Sequence, residues 1–264
     1  MSRVRIPIFC YHSMNVTGNS YASNDHIALE RDIAKLKQLS YTILPLSRIA
    51  GALLNGTLDG LPKKVAGISC DDGFHSDYYS MRTPEGVELP GFYSIFRRHG
   101  VVGTAFLIAS PEARRQLNDQ NFQGFGKIDD SWWREAIRGG YLEFGNHSWD
   151  HNHPDVDPVA QRNQEKGNFF AIDSGPDAER QISQAHQQLQ ADLEGGLKPL
   201  FAYPYGHVND FLRRHFLPGN RVGIEAAFST EPAFVTEDTD RWCIPRFVCG
   251  HHWRSEDDFL AIVS

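Results

Sequence analysis

The sequence lacks the features of a membrane protein or a nucleic-acid-binding protein. Its longest apolar stretch, Val101–Ala109, is about half as long as a membrane-spanning helix requires. Lys and Arg number 26 against 33 Asp and Glu, which gives a net charge of −7 and no excess of basic residues to hold phosphates. We therefore expect no membrane span and no nucleic-acid partner.

Cysteine is scarce, and its spacing is not that of a metal site. Four cysteines are present and no two of them form a C-x-x-C pair, which argues against a thiolate zinc site. The N-terminal residues have no apolar region long enough for a signal peptide. We expect a cytoplasmic protein with free thiols, or a periplasmic or secreted protein if a leader was removed before this numbering begins.

Predicted strands alternate with predicted helices along a chain of ordinary globular composition, 41% hydrophobic and 22% charged. Strands are predicted at Val4–Phe9, Lys64–Ser69, Thr104–Ile108, Tyr141–Gly145, Leu200–Ala202, Ala226–Phe228 and Arg246–Val248. Helices are predicted at Asp25–Ser40, Phe92–His99, Asp130–Arg138, Ala178–Leu193 and Asn209–Phe216. This alternation predicts parallel βα units, which we assign to one domain covering residues 1–264.

Two adjacent carboxylates, Asp71 and Asp72, follow the predicted strand that ends at Ser69. Neighbouring side chains of an extended backbone point in opposite directions, so one carboxylate can bind a metal while the other faces a water molecule. Asp and Gly are also ordinary turn residues, and Asp72-Gly73 by itself is equally typical of a plain turn. The active sites of such folds lie at the C-terminal ends of the strands, where this pair is placed.

Two histidines four residues apart, His147 and His151, follow another predicted strand. On a helical turn this spacing places both imidazoles on one face, where they can chelate one ion. Two histidines and one carboxylate form a common ligand set for zinc and iron(II). The alternative is a polar surface loop, because Asp150 and His153 lie close by in the sequence.

A third segment, Tyr203-Pro204-Tyr205-Gly206, follows the strand Leu200–Ala202 and is either a turn or a constrained backbone that offers an oxyanion donor. Read together, the three segments resemble the motifs of the carbohydrate esterase family 4 polysaccharide deacetylases, which have the NodB-homology fold. The matching motifs are Ser69-Cys70-Asp71-Asp72-Gly73, His147-Ser148-Trp149-Asp150-His151 and Ala202-Tyr203-Pro204-Tyr205-Gly206. The segment Cys10-Tyr11-His12-Ser13 is similar to one that follows the first strand in many members.

The resemblance implies a distorted (β/α)7 barrel and a metal-dependent hydrolase that removes N-acetyl groups from sugars or polysaccharides. Asp72, His147 and His151 would hold one divalent ion, with zinc expected first and cobalt, nickel or iron as alternatives. Asp71 would be the base that deprotonates the metal-bound water, and the backbone N–H of Tyr205 would share the oxyanion with the metal. The partner would be a carbohydrate or a small amide, and the oligomeric state is left open.

The chain departs from the family pattern at two positions. Ala202 stands where the third motif normally has an arginine that pairs with the catalytic Asp. Arg246, at the start of a late strand after Pro245, is our candidate to replace it and to hydrogen-bond Asp71; the alternative is a plain surface arginine. The family's Leu-x-His motif is not obvious, and His251 or His252 could supply its general acid.

Two other functions remain open from the sequence. The same chemistry could act on a small non-carbohydrate amide or an acetyl ester. A relative that binds carbohydrate without catalysis is a different class, and the presence of all four residues, Asp71, Asp72, His147 and His151, argues against it.

Overall fold

The computed structural model describes residues 4–83, 85–119, 127–157 and 165–264. In this part of the chain, eight strands form one sheet in the order β10-β1-β3-β6-β7-β8-β9, with β2 paired to β3 beside this path. Its strands are β1 (Ile8–Tyr11), β2 (Thr42–Leu44), β3 (Val65–Cys70), β6 (Gly103–Leu107), β7 (Leu142–Asn146), β8 (Leu197–Ala202), β9 (Ala226–Phe228) and β10 (Phe247–Val248). Every pairing within the sheet is parallel. A separate antiparallel hairpin consists of β4 (Met81–Arg82) and β5 (Glu88–Leu89).

Helices connect the strands. They are α1 (Asp25–Gln38), α2 (Leu46–Leu54), α3 (Phe92–His99), α4 (Pro111–Asp119), α5 (Trp133–Gly139), α6 (Gly175–Ala178), α7 (Ala185–Asp192) and α8 (Glu256–Val263). A π-helical segment, Glu179–Gln184, joins α6 to α7, and a second one covers Leu212–Phe216. In the described residues, no helix is both long enough and apolar enough to span a membrane.

The late segment Ile244–Val248 connects the two edges of the sheet. Ile244 forms a parallel bridge with Phe228 of β9, and its N–H donates to the carbonyl of Ala227 at 2.8 Å. Phe247 and Val248 then pair with β1. This segment contains the edge strand β10 and also bridges to β9 at the opposite edge, so the sheet curves into a barrel. Arg246 lies between these two contacts.

Alternation along the strands separates the barrel interior from the outer layer. On β8, Leu200 and Ala202 pack inside with Phe106 and Phe228, whereas Phe201 packs outside. Helix α2 contributes to the same inner cluster, which also contains its residues Leu46, Ile49 and Ala50. Every second side chain along a strand therefore points into the barrel and fills it. The polar residues that follow the strands lie at one rim.

The predicted elements are present, with end points shifted by a few residues, and two details differ. The predicted helix Asn209–Phe216 contains the π-helical segment Leu212–Phe216, and the predicted helix Ala178–Leu193 is interrupted by the π-helical segment Glu179–Gln184. Strand β2 and helices α2, α4 and α8 were not predicted. The hairpin strands β4 and β5 were not predicted either, and all of these elements are short, at nine residues or fewer.

Candidate active site

The chain turns sharply at the C-terminal end of β3, where Asp71 and Asp72 stand. Asp72 has a left-handed backbone with φ of 81°, as does Gly73. A Cβ atom at Gly73 would lie 2.7 Å from Leu107 Cδ2, so the turn requires glycine there. The strained backbone at Asp72 directs the two carboxylates to different partners, and such strain is concentrated at functional sites.

Asp71 forms a buried ion pair with Arg246. The two guanidinium nitrogens Nη1 and Nη2 donate to Oδ1 and Oδ2 at 2.7 and 2.8 Å, and Arg246 has 0% exposure. Burial alone would raise the pKa of Asp71, but the charges of Arg246 and His147 outweigh burial and lower this pKa to about 2. Asp71 is therefore ionised at neutral pH even though it is buried.

Further hydrogen bonds fix the Arg246 guanidinium in place. Nε donates to the Ser229 carbonyl at 3.0 Å, and Nη1 also donates to Ser69 Oγ at 3.0 Å. Ser69 belongs to β3 and Ser229 directly follows β9, so the arginine is anchored to two strands. The structure thus contains the contact expected between Arg246 and Asp71, at the position left open by Ala202.

Asp72 points to two imidazoles. Its Oδ1 lies 3.5 Å from His147 Nε2 and 3.4 Å from His151 Nε2. All the donor atoms of this group lie within 4.8 Å of one another. Two ligands about 2.1 Å from a tetrahedral ion are roughly 3.4 Å apart, so this spacing fits a divalent ion with two nitrogen ligands and one oxygen ligand.

The two imidazoles differ in their affinity for a proton. Burial lowers the pKa of His147, but the charges of Asp71 and Asp72 outweigh burial and raise this pKa, so a divalent ion would have to displace the proton from Nε2. His147 Nδ1 lies 2.9 Å from the Ala202 carbonyl, which can only accept, so Nδ1 carries the proton and Nε2 faces Asp72. Burial lowers the pKa of His151 to about 3 and keeps its ring neutral. For Asp72, burial is outweighed by the hydrogen bond from His147 Nε2, so its pKa lies well below its ordinary value. The group offers one anionic oxygen and two imidazole nitrogens.

The loop that carries the histidines is not helical. Ser148, His151 and Asn152 have φ values of 74°, 61° and 46°, in the left-handed region. The expectation that His147 and His151 share a helical turn was therefore wrong. The rings approach to 4.8 Å between centroids because the backbone reverses twice, with Ser148 Oγ accepting from the His151 N–H at 2.9 Å.

The π-helical segment Glu179–Gln184 supports this loop. The Gln181 carbonyl accepts from the Trp149 N–H at 2.9 Å, and Gln181 Nε2 donates to Asp150 Oδ1 at 2.7 Å. Asn146 Nδ2 donates to the Ile182 carbonyl at 3.0 Å. Gln181 is fully buried, so the ligand loop is fixed to a rigid element from behind. The four-residue spacing of His147 and His151 does not indicate this support.

A cleft of about 410 Å³ opens above the two carboxylates. Tyr205 lies on its wall, and the ring of Tyr205 contacts that of His151 with 4.4 Å between centroids. Tyr205 has a left-handed φ of 58°, and a Cβ atom at Gly206 would lie 1.8 Å from Thr230 Oγ1. The segment is a strained turn at the cleft, and the role of the Tyr205 N–H as an oxyanion donor stays a prediction.

Further histidines line the cleft besides the candidate ligands. His251, predicted from the sequence, lies on the cleft and is exposed, and His252 Nδ1 accepts from the Val248 N–H at 2.8 Å. His12, to which the sequence analysis gave no role, is half-buried in the same cleft. One of its ring nitrogens lies within 4.8 Å of an Asp71 oxygen, and no hydrogen-bond partner for its buried Nδ1 is found in the described residues. The position of His12 directly after β1 is the sequence feature that could have indicated a place at the rim.

A buried carboxylate beside two imidazoles and a second carboxylate, at the C-terminal rim of a parallel barrel, is a donor set that could hold a divalent ion. A sequence model described as polysaccharide deacetylase matches residues 59–216, and the chain belongs to this family. The prediction of a polysaccharide deacetylase is thereby confirmed. No curated protein sequence matches the chain.

Solved structures of deacetylases have the same fold. Deacetylase PplD from Streptococcus pyogenes, in complex with acetate, is 17% identical, with 100% of both chains covered and a TM-score of 0.67. IcaB from Ammonifex degensii is 17% identical, with 98% of this chain and 95% of that one covered and a TM-score of 0.69. A de-N-acetylase from Aggregatibacter actinomycetemcomitans is 16% identical over 98% and 99%, with a TM-score of 0.68. The predicted barrel class is confirmed.

Proposed function

We propose that this protein removes N-acetyl groups from an N-acetylated glycan in the cleft above Asp71 and Asp72. The observation that carries the proposal is the convergence of Asp72, His147 and His151 next to a carboxylate that Arg246 keeps ionised. Family membership supplies the reaction class, amide hydrolysis on N-acetylated sugars.

The donor set favours zinc as the resident ion. Zinc accepts two imidazoles and one carboxylate and keeps a further position open in catalytic sites. Cobalt, nickel and iron(II) accept the same ligands and would support the same chemistry. When bound, the divalent ion supplies a Lewis acid that polarises the amide carbonyl and lowers the pKa of water.

Asp71 acts as the general base. Its Oδ2 lies 4.0 Å from His147 Nε2, next to the candidate ligand set, and the ion pair with Arg246 aims the carboxylate. A carboxylate held in this way accepts the proton of the attacking water without moving. The Tyr205 N–H, at the strained turn that lines the cleft, donates to the oxygen that becomes negative as the carbonyl is attacked.

The leaving amine needs a proton, and the cleft offers two candidate donors. His12 is half-buried and has a ring nitrogen within 4.8 Å of an Asp71 oxygen, which places it beside the base. His251 is exposed on the cleft wall. We assign the donor role to His12 and keep His251 as the alternative. His12→Gln should abolish most turnover, while His251→Gln should leave turnover intact; the reverse pattern would assign the role to His251.

A substrate panel tests the proposed function. Acetate release is measured from three kinds of substrate at the same concentration: N-acetylated oligosaccharides, a small acetamide and an acetyl ester. We expect the highest kcat/KM for the oligosaccharides. A preference for the small amide or the ester would replace the glycan assignment, and binding of oligosaccharide without acetate release would define a non-catalytic carbohydrate-binding protein.

A further inference from the structure

One phenylalanine outside the cleft is exposed in an otherwise buried turn. Phe170 is 49% exposed, while its neighbours Phe169 and Ala171 are buried and belong to the protein core. A large aromatic side chain in water is unfavourable by itself, because the apolar surface of the ring remains hydrated. The position therefore calls for an explanation other than core packing.

Phe170 lies at the end of a row of rings that starts in the cleft. Its ring is stacked on that of His207, with 4.2 Å between centroids and 14° between planes. His207 lies 5.3 Å from Tyr205, and Tyr205 lies 4.4 Å from the candidate ligand His151. Tyr205 is 38% exposed and lines the cleft. We call Tyr205, His207 and Phe170 the aromatic platform.

Hydrogen bonds on both sides hold the outer end of the platform. His207 Nδ1 accepts from the Phe169 N–H at 3.3 Å, so this nitrogen is an acceptor and the ring is neutral. Asn209 Nδ2 donates to the Phe170 carbonyl at 3.2 Å and to the Ile172 carbonyl at 3.0 Å. The Phe170 N–H donates to Asn168 Oδ1 at 3.0 Å. A ligand that covers Phe170 therefore meets a surface that is already ordered, which lowers the entropic cost of binding.

We propose that Phe170, stacked on His207, is a subsite for a sugar unit next to the one whose acetamide is hydrolysed in the cleft. This inference rests on the proposed function. His207 covers one face of Phe170, and the exposed remainder offers an uncharged aromatic surface to the C–H face of a sugar ring. A glycan chain extends beyond the unit at the candidate ligands, and the platform is continuous with the cleft through Tyr205.

The test measures kcat/KM for N-acetylglucosamine oligomers of increasing length, starting from the monomer. Phe170→Ala should lower kcat/KM for the longer oligomers by about three- to tenfold, mainly through KM, because an aromatic stack contributes on that scale. The value for the monomer should be unchanged. Phe170→Trp should restore the length dependence, whereas Phe170→Leu, which is apolar but not aromatic, should not.

Val87→Ala is the matched control, since Val87 is 43% exposed and lies next to the hairpin strand β5, outside the platform. If wild type hydrolyses the oligomers and Phe170→Ala matches it at every length, the platform is overturned and the proposed function stands. An equal loss on the monomer also overturns it. If the wild type self-associates and Phe170→Ala abolishes this self-association, the surface of Phe170 binds a second copy of the chain and not a sugar. If the wild type releases no acetate from any N-acetylated sugar, the proposed function fails and the subsite fails with it.

Discussion

Arg246 and Asp71 form a two-fold hydrogen-bonded ion pair, at 2.7 and 2.8 Å, between residues 175 positions apart in the sequence. A planar guanidinium satisfies both carboxylate oxygens at once, and an ammonium cannot. The pair keeps Asp71 ionised and oriented in a buried setting. It also satisfies the electrostatic requirement that Ala202 leaves unmet at the third motif.

Arg246→Lys should lower kcat more than it changes KM, because lysine keeps the positive charge but lacks the two parallel N–H donors of the planar guanidinium. Arg246 lowers the pKa of Asp71, so weakening the pair raises this pKa and should move the acidic limb of the pH profile to higher pH. Arg213→Lys is the control, because Arg213 pairs with Asp240 on the outside of the barrel. An unchanged kcat with an unchanged acidic limb would remove Arg246 from the mechanism.

Asp71→Asn should keep the metal and lose most turnover, by about 10²–10⁴-fold, since a positioned general base contributes on that scale. Metal content by elemental analysis and acetate release are measured on the same preparation. Near-normal activity with metal retained would show that Asp71 is not the base. Loss of metal from the variant would instead place Asp71 among the ligands.

Gln181→Leu should weaken metal affinity by about 10–100-fold, as is typical when the hydrogen-bonded support of ligand residues is removed. The reason is that Gln181 holds Asp150 in the loop between the two histidines. Competition with a chelator measures the affinity, and no turnover is needed. Gln188→Leu, on the same run of helix and bonded to Asp192, is the control. Equal affinity in the two variants would contradict a supporting role.

The stability of the protein should depend on pH through Asp32. This carboxylate accepts hydrogen bonds from Tyr11, Tyr21 and Trp253, but burial outweighs them and raises the pKa of Asp32 to about 7. The folded state therefore binds the proton more tightly than the unfolded chain. The contribution of Asp32 to stability is complete below about pH 4 and is lost as pH rises to about 7.

Urea unfolding between pH 4 and 8 measures this dependence. The free energy of unfolding of the wild type, relative to Asp32→Asn, should fall as pH rises through this range. Asp257→Asn, on the exposed side of α8, controls for the removal of a carboxyl group. A difference between wild type and Asp32→Asn that stays constant with pH would contradict the assignment.

The strand-end motifs could be predicted because parallel strands bring their C-terminal ends to one rim. Asp71, His147 and Tyr205 each follow a strand with a recognisable apolar run, so their neighbourhood follows from the topology. The contact between Arg246 and Asp71 could be anticipated from a missing cation and from the position of Pro245, which restricts the backbone before a late strand. At these positions, the local sequence identifies the end of a strand and the parallel topology brings these ends together.

Other parts of the site have no sequence signal of that kind. The left-handed residues Ser148 and His151 are not glycines, so their reversal of the chain depends on tertiary contacts that over-determine it. Ile182, Ala185 and Leu189 keep the three- and four-residue spacing of an α-helix, so the sequence does not reveal the π-helical hydrogen bonds around Gln181. His12 directly follows β1 and so has the strand-end signal, but as a single histidine it does not reveal from the sequence that it approaches Asp71.

Acetate release from N-acetylated sugars should depend on a divalent ion held by Asp72, His147 and His151. The most direct measurement is acetate release before chelation, after chelation, and after zinc is returned, for the wild type and for His147→Ala. We predict one bound ion per chain in the wild type, loss of activity with the ion, and recovery on adding zinc, with no recovery in His147→Ala. Full activity in metal-free wild type would show that no ion is required. Equal recovery in His147→Ala would show that His147 does not hold it.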